Sequence, residues 1–440
     1  MLSYYVSLAW RDLIRQPGYG LLIAAILGFG VGLFMTTWSL LYAISGDPIP
    51  KKSGRLLNIR MGTPLDGEPP SVMPDLFVRS TRQVLGHIPT VALGGGLAVI
   101  EGVDTGDRPL RQTGLLRFTE SGFFRMFDVP LTRGRIWNPE EEAQGAPVAL
   151  IGGNMANTLF GTDDVVGRSV QLGGTHFRII GTVGLWRPAP RYYDLSVGAY
   201  MTADDLYLPR RSLRYVNDQV FLTFTCANAT RPDVRNMEQS GCSWLSLWAL
   251  ASSDVKRIGG ERIDEDRAEI ESKVRNLAAS GLRDGWLPPD SVVKVENVQE
   301  LLQRMKVVPG GARYGVLIAA SFLLLCLVNA SGLLLAKYLR RTQEIGVRRA
   351  LGASRSQIIA QFVVDASLMG TIGSVLGAFF TFIGIAVVRH LPGFYFQLAA
   401  FDLGVLALAL GLSVLAGMLA GLFPAWRASG VEPAIQVKVE

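Results

Sequence analysis

Charged residues are scarce in this 440-residue chain, and their scarcity argues against a soluble protein. Asp, Glu, Lys and Arg make up 18% of the sequence, whereas soluble domains usually contain about a quarter. Hydrophobic residues make up 49%, and the mean hydropathy is +0.28. The formal net charge of +6 lies beside apolar runs and not along an aromatic-rich surface, so nucleic acid is not an expected partner. The composition favours a membrane protein.

Histidine is rare as well. His87, His176 and His390 lie far apart, and the three cysteines do not have the spacing of a metal knuckle. We therefore predict that the chain binds no metal ion.

The sequence also lacks the signatures of catalysis. It contains no G-x-x-x-x-G-K-[ST] phosphate loop, no G-x-S-x-G elbow and no H-E-x-x-H motif. We predict that the chain is not an enzyme and binds no cofactor itself. If it takes part in a process that consumes energy, another chain has to supply that energy.

Four apolar runs are long enough to cross a bilayer, which takes about 20 helical residues. The first has an apolar core longer than the roughly 7 to 15 residues of a signal peptide, so we interpret it as a transmembrane helix. The four predicted transmembrane helices cover residues 20–44, 314–336, 362–388 and 403–423.

The positions of the basic residues predict the orientation of these helices. Arg11 and Arg15 precede the first, and six basic residues lie in residues 337–361, between the second and third. Because Lys and Arg concentrate on the cytoplasmic side, both termini are expected there. Residues 389–402 then form a short periplasmic loop, and residues 424–440 form a cytoplasmic tail.

The N-terminal segment has a helical pattern of its own. Ser3, Ser7, Arg11 and Arg15 recur every four residues, which predicts an amphipathic helix on the cytoplasmic side within residues 1–19.

Ionisable residues are almost absent from the predicted spans. Asp365 lies within about one turn of the cytoplasmic end of the third span, and Asp402 borders the fourth. At such positions a carboxylate can reach the interface or cap a helix, so proton-coupled transport is disfavoured.

The long loop between the first two spans, residues 45–313, is predicted to be a folded periplasmic domain of the α+β class. The turn between its last two predicted strands contains Gly173 and Gly174, which tolerate the backbone of a tight hairpin. Short helices are expected at 120–127 and 153–160. The predicted strands are 56–61, 113–118, 148–151, 169–172 and 177–183.

A second lobe is predicted within this domain, because residues 210–290 lose the strand-like alternation. This stretch contains a charged helical segment at 264–282, as well as Cys226 and Cys242. A disulfide between the two cysteines is an expectation that an oxidising compartment allows. Residues 295–306 are expected to form a helix leading back to the membrane.

Residues 337–361 are predicted to form helix, tight turn, helix. Gly352 is placed to end the first helix, and Ser354 with Gln357 has the spacing of a capping box that opens the second. Glu344 can pair with Arg348 at i,i+4. A solvated connector is the alternative, but two capped helices in so short a loop favour a rigid docking element.

Pairs of glycines recur at four-residue spacing within the spans. Small residues so placed allow helix backbones to approach closely in a membrane. The segment 28–32 (GFGVG) resembles a dinucleotide loop only superficially, since no strand precedes it. The predicted helix-packing residues are Gly28, Gly32, Gly373, Gly377, Gly417 and Gly421.

Several segments resemble the permease module of MacB/FtsX-type ABC transporters, also called type VII. Residues 341–353 (RTQEIGVRRALGA), 361–366 (QFVVDA) and 421–428 (GLFPAWRA) carry the cytoplasmic and membrane part of the resemblance. In the loop, segments within residues 120–183 resemble the MacB-type periplasmic domain. The resemblance implies an α-helical membrane protein with four transmembrane helices and a large two-lobed α+β domain between the first and second.

The resemblance also implies partners. Such permeases dimerise, bind ATPase domains through their cytoplasmic loop and pass ATP-driven motion to the periplasmic domain, which is called mechanotransmission. MacB carries its own ATPase at the N-terminus, whereas about 20 residues precede the first span here, so we expect a separate ATPase that uses ATP and Mg. By analogy, the coupling residues are Arg341, Glu344, Ile345, Arg348, Arg349, Gly352 and Ala353.

The implied function is export of an antibiotic, a peptide or a similar compound across a bacterial inner membrane. A second permease copy or a paralogue, a periplasmic adaptor and an outer-membrane channel are the further partners that it suggests. Two alternatives stay open: a transmembrane signal relay that activates a cell-wall hydrolase, as in FtsX, and the extraction of lipoproteins. The large external domain favours export.

Overall fold

The structure is a computed structural model, and it divides the chain into two compact units. The helical unit comprises the described residues of Met1–Gly46 and Val308–Glu440, and the sheet unit comprises those of Asp47–Val307. The structure describes residues 2–15, 17–64, 68–103, 110–217, 219–226, 232–252, 257–258, 261–262, 265–391, 396, 398 and 403–430.

The described residues form helices and strands in the following order. The helices are α1 (Leu2–Arg15), α2 (Pro17–Ser45), α3 (Asp75–Leu85), α4 (Gly122–Met126), α5 (Pro139–Gln144), α6 (Gly153–Phe160), α7 (Glu265–Arg283), α8 (Val298–Arg304), α9 (Gly310–Leu339), α10 (Thr342–Ala350), α11 (Arg355–Arg389) and α12 (Leu403–Ser429). The strands are β1 (Leu56–Gly62), β2 (Thr90–Gly102), β3 (Arg111–Thr119), β4 (Leu131–Gly134), β5 (Val148–Gly152), β6 (Ser169–Leu172), β7 (Thr175–Val183), β8 (Leu206–Pro209), β9 (Phe221–Leu222), β10 (Leu245–Leu250), β11 (Arg257–Ile258), β12 (Glu261–Arg262) and β13 (Val292–Asn297).

Four helices of the helical unit, α2, α9, α11 and α12, are long and apolar enough to cross a membrane. Each contains one of the four predicted spans, so the predicted helices are present. The helices extend beyond the apolar runs because residues that favour the start of a helix lie outside those runs. Pro17 is the first residue of α2, where its missing N–H costs no hydrogen bond, and a capping box opens α11.

One apolar core joins all four long helices. It contains Leu27 of α2, Leu334 of α9, Phe362 of α11 and Ala420 of α12. α11 packs against both α2 and α12, and the buried Ser413 hydroxyl of α12 donates a hydrogen bond of 3.1 Å to the carbonyl oxygen of Gly370. Most of the predicted loop 389–402 lies outside the described residues, as does Asp402, and so do residues 431–440 of the predicted tail.

The sheet unit is built on a mixed, mostly antiparallel sheet of 11 strands. The strand order is β13-β1-β10-β2-β3-β8-β5-β7-β4, with β6 paired to β2 and β7, and β9 paired to β2. Pairs β3–β8 and β5–β7 are parallel. All five strands predicted for the domain are present, as β1, β3, β5, β6 and β7. In the β6–β7 hairpin, Gly173 and Gly174 have φ values of 55° and 84°, as the turn prediction requires.

Both faces of this sheet are covered. Successive residues of β5 alternate between two cores, with Ala149 and Ile151 in one and Leu150 in the other. The first core lies under α3 and α6, where Phe77 and Met155 contribute. The second is rich in aromatic rings packed edge to face, which adds to the stability that burial gives.

Two predictions for the sheet unit are corrected. Residues 210–290 are not a separately inserted lobe, because strand β10 lies inside the main sheet, hydrogen-bonded to β1 on one edge and β2 on the other. Residues 295–306 are not one helix. Val295 to Asn297 end strand β13, and α8 begins at Val298, where Asn297 and Glu300 form a capping box. The helix expected at 264–282 corresponds to α7.

Candidate functional site

The segment between α9 and α11 folds as a compact helix, turn and helix. α10 ends at Ala350, and Gly352 has a φ of 99°, a conformation that side-chain-bearing residues rarely adopt. Ser354 then opens α11: its hydroxyl accepts from the Gln357 N–H at 3.3 Å, and its own N–H donates to the Gln357 side chain at 2.9 Å. The predicted turn and capping box are confirmed.

One face of α10 is anchored and the other is open. The side chain of Ile345 is 5% exposed and belongs to the core of the helical unit. On the opposite side, Val347 is 60% exposed and Leu351, just after the helix, is 83% exposed. Glu344 and Arg348 lie 4.0 Å apart and are both accessible, so this pair adds little stability. The segment therefore presents an apolar and charged surface on a fixed backbone.

Three arginines predicted to belong to a coupling surface contact other residues of this chain. Arg348 donates a hydrogen bond of 2.6 Å to the Gln361 side chain. Arg349 donates to the carbonyl oxygen of Ser429, at the end of α12, at 3.4 Å. Arg341 forms an ion pair with Asp12 of α1. These contacts tie the segment to α11, α12 and α1. Ala353 closes the turn, since its N–H donates to the Arg348 carbonyl at 3.0 Å.

A cluster of four charges, of which three are buried, lies where α1, α9 and α11 meet. The Lys337 ammonium nitrogen lies 2.8 Å from a carboxylate oxygen of Asp12 and 2.8 Å from one of Asp365. Lys337 is 4% exposed, Asp12 7% and Asp365 6%. Arg341 completes the cluster through Asp12, so two carboxylates face two cations.

The sequence did not reveal this cluster. Asp365 was expected to reach the interface or cap a helix, and that expectation is wrong because its carboxylate is buried against Lys337. Asp12 lies between Arg11 and Arg15 and resembles any residue of a polar helix face. Its partners are more than 300 residues away in the sequence. The only local signal is the position of Lys337 at the end of an apolar run.

Tyr338 joins α9 to α11 beside the cluster. Its ring stacks on that of Phe362, with centroids 4.0 Å apart, and its hydroxyl donates to the Phe362 carbonyl oxygen at 3.0 Å. Both side chains are buried. α9 and α11 are thus held by an aromatic contact and an ion pair at the same level.

The six glycines predicted to pack helices all lie at close helix contacts. A Cβ built on Gly28 would lie 2.8 Å from the Gly373 carbonyl oxygen, and one on Gly417 would lie 2.7 Å from the Gly370 Cα. Gly377 lies against Gly28 and Val31 of α2. Gly32 lies against Phe380, and Gly421 lies against Ala366.

In the sheet unit, Cys226 and Cys242 form a disulfide, with their Cα atoms 4.5 Å apart. Cys242 is buried, and the bond joins residues that are 16 positions apart in the sequence. Cys326, in α9 of the helical unit, is a buried free thiol.

The sheet unit also contains a buried charge network centred on Asp204. Arg117 and Arg191 both donate to its carboxylate, at 3.0 and 2.6 Å, and the Tyr193 hydroxyl donates at 3.0 Å. Burial alone would raise the pKa of Asp204, but the two guanidinium groups outweigh that effect and hold its pKa below the ordinary value. The network pairs these buried charges, which would be costly to leave unpaired.

The neighbouring Asp205 has the opposite shift. Burial raises the pKa of Asp205 to about 6, although its carboxylate accepts a hydrogen bond of 2.8 Å from the Leu115 N–H. In the part of the chain that the structure describes, no group of three or more His, Cys, Asp or Glu side chains is placed to hold a metal ion.

Two family models match the chain. Residues 21–237 match the MacB-like periplasmic core domain, and residues 316–433 match the FtsX-like permease C-terminal domain. The chain belongs to the MacB/FtsX-type ABC transporter permeases. With its four candidate spans, this makes it a multi-pass inner-membrane protein.

Several relatives are similar over most of this chain. It is 24% identical over 329 residues to the macrolide export ATP-binding/permease protein MacB of Wolinella succinogenes, covering 75% of this chain and 44% of that protein. It is 25% identical to the pyoverdine export ATP-binding/permease protein PvdT of Pseudomonas entomophila, covering 80% and 46%. The chain thus spans less than half the length of these relatives. An uncharacterized ABC transporter permease of Bacillus subtilis, YknZ, is 24% identical, with 72% and 68% covered.

A solved structure is also similar. The periplasmic region of MacB from Actinobacillus actinomycetemcomitans matches with a TM-score of 0.37 and 13% identity, covering 60% of this chain and 97% of that one.

Proposed function

We propose that this permease couples ATP hydrolysis by a separate cytoplasmic ATPase to movement of its sheet unit, which lies in the periplasm. The coupling is mechanical and moves cargo outside the membrane. The observation that carries the proposal is the exposed surface of α10, with Val347 60% and Leu351 83% exposed on a segment whose other face is fixed. An exposed apolar pair on a rigid helix is typical of a surface that docks into a groove.

The family and the named relatives support an ATPase partner, since those relatives are ATP-binding/permease proteins. We propose that the ATPase supplies ATP and Mg chemistry, and that this chain contributes no catalytic residue and binds no cofactor. Both termini and α10 lie in the cytoplasm.

The cargo we propose is an antibiotic, a peptide or a similar compound, exported with the help of a periplasmic adaptor and an outer-membrane channel. MacB and PvdT are named for the export of macrolides and pyoverdine, which supports export over a signal relay. The permease acts as a dimer, with a second copy or a paralogue.

Copurification with candidate ATPases, followed by measurement of ATP hydrolysis in the reconstituted complex, tests this function. Leu351→Asp places a charge on the exposed apolar surface and should reduce ATPase binding at least tenfold. Leu351→Met retains the apolar surface and is the matched control, with binding within twofold of wild type. Glu344→Ala and Gly352→Pro, which alter the same surface and its turn, should also weaken assembly. Wild-type binding by all of these variants would show that α10 is not the docking element.

A further inference from the structure

The charge cluster places α1 at the junction between α9 and α10. Lys337 lies near the end of α9, and Arg341 is the residue that immediately precedes α10. Asp12 of α1 contacts both cations, and Asp365 of α11 contacts Lys337. Two oppositely charged pairs, on three helices and a turn, therefore meet at the start of the segment between α9 and α11.

This contact is specific for one position of α1. The apolar side chains of Val6, Trp10 and Ile14 are 43%, 52% and 64% exposed, so they do not fix the helix to its neighbours in this chain. Ala9 and Asp12 are buried, and Leu13 packs against the core of the helical unit. A buried charge is strongly disfavoured without its partner. Rotation or sliding of α1 would separate Asp12 from Lys337 and Arg341, so the ion pairs oppose such movement and act together with the packing of Leu13.

We propose that Asp12, Lys337, Asp365 and Arg341 form a charge lock that makes α1 part of the coupling site, with Asp12 and Lys337 as positioning residues. The inference rests on the proposed function. A tilt of α10 against α9 moves Arg341 relative to Lys337. Since Asp12 is bound to both, α1 follows this movement, and Lys337 passes it to α11 through Asp365. The lock thus converts a local movement of α10 into a joint movement of three helices.

The first test measures coupling and helix position in the full chain. Asp12→Asn removes one charge without changing the size of the side chain, and the pair between Lys337 and Asp365 remains. We expect the ATPase to bind within twofold of wild type, but stimulation of its activity by the permease should fall at least fivefold. Arg11→Gln, on the exposed side of the same helix, is the matched control and should leave both values unchanged. Wild-type stimulation by Asp12→Asn would overturn the proposal, as would a loss of ATPase binding that accounts for the whole defect.

A distance measurement tests the lock without any ATPase, so its failure is distinguishable from failure of the proposed function. Spin labels at Ser7 and Ser356, both exposed, report the position of α1 relative to the start of α11, in a Cys326→Ser background. The distance distribution should broaden in Asp12→Asn and remain narrow in Arg11→Gln. An unchanged distribution in Asp12→Asn would contradict the lock.

A second substitution that restores the charge balance should rescue the folding of a variant that lacks Lys337. Lys337→Met leaves two buried carboxylates with one arginine, and the yield of folded permease should fall at least fivefold. Adding Asp365→Asn restores the balance and keeps the pair between Asp12 and Arg341, so the double variant should recover at least half of the wild-type yield. Lys337→Arg should retain both yield and coupling. A double variant no better than Lys337→Met would show that charge pairing does not hold the helices, and the proposal would fail.

Discussion

Gly28 of α2 and Gly373 of α11 are in direct backbone contact. A Cβ on Gly28 would lie 2.8 Å from the Gly373 carbonyl oxygen, closer than side-chain carbons pack, and 2.8 Å from the Cβ of Leu376. Both atoms belong to α11, and neither is the end of a flexible side chain that could move away. α2 and α11 can approach this closely only because position 28 has no side chain.

Substituting these glycines should therefore destabilise the helical unit in proportion to the contact. Gly28→Ala and Gly417→Ala should each cost about 1 to 3 kcal/mol, the usual cost of overpacking, and lower the Tm of the purified permease in detergent. Gly332→Ala and Gly411→Ala are matched controls, since a Cβ at either position has no neighbour within 4 Å. Equal Tm values for the two pairs would show that these glycines do not set the helix contacts.

The disulfide should stabilise the sheet unit. Loop closure over the 16 positions between Cys226 and Cys242 contributes about 3 kcal/mol in the chain-entropy description. The double variant Cys226→Ala/Cys242→Ala should therefore have a lower Tm than wild type, measured by thermal unfolding of the full chain. A reducing agent should produce the same loss in wild type and no further change in the variant. If reduction leaves the wild-type Tm unchanged, the bond adds no stability.

Asp205 should make the stability of the sheet unit depend on pH. Burial raises its pKa from about 3.8 to about 6, so folding favours its protonated form. Its contribution to the free energy of unfolding is complete below pH 3.8 and is lost as the pH rises through about 6. Asp205→Asn, which can still accept the hydrogen bond from the Leu115 N–H, should remove this loss. At pH 7.5 the variant should be more stable than wild type by about 2 to 3 kcal/mol.

The comparison is made as the difference between variant and wild type at each pH, because other groups titrate in both proteins. The difference should be small at pH 4 and should grow between pH 4 and pH 7. A constant difference over that range would mean that Asp205 has an ordinary pKa in the folded protein.

Local pattern was sufficient to predict much of the architecture. The four spans follow from runs of apolar residues, and strands such as β1 and β7 follow from alternation and flanking turns. The turn at Gly352 and the cap at Ser354 follow from residues a few positions apart. In each case the physical cause is short-range, so the signal is contained within one segment of the sequence.

Long-range pairing could not be predicted in the same way. β10 lies between β1 and β2, although more than 140 residues separate it from β2, and nothing in its own six residues identifies its neighbours. The contact of Asp12 with Lys337 is similar, because each residue has an ordinary local environment in the sequence. Only the folded chain shows that Arg341 faces Asp12 within the protein, where the sequence had suggested a surface residue.

The account depends on α10 and the sheet unit lying on opposite sides of the membrane, and cysteine labelling in intact cells measures this directly. A background of Cys326→Ala leaves only the disulfide-bonded cysteines, and single cysteines are then introduced at Arg348 and at Glu140, both accessible. We predict that a membrane-impermeant maleimide labels position 140 when the outer membrane alone is permeabilised, and labels position 348 only after the inner membrane is opened. Labelling of both positions under the first condition would contradict the account.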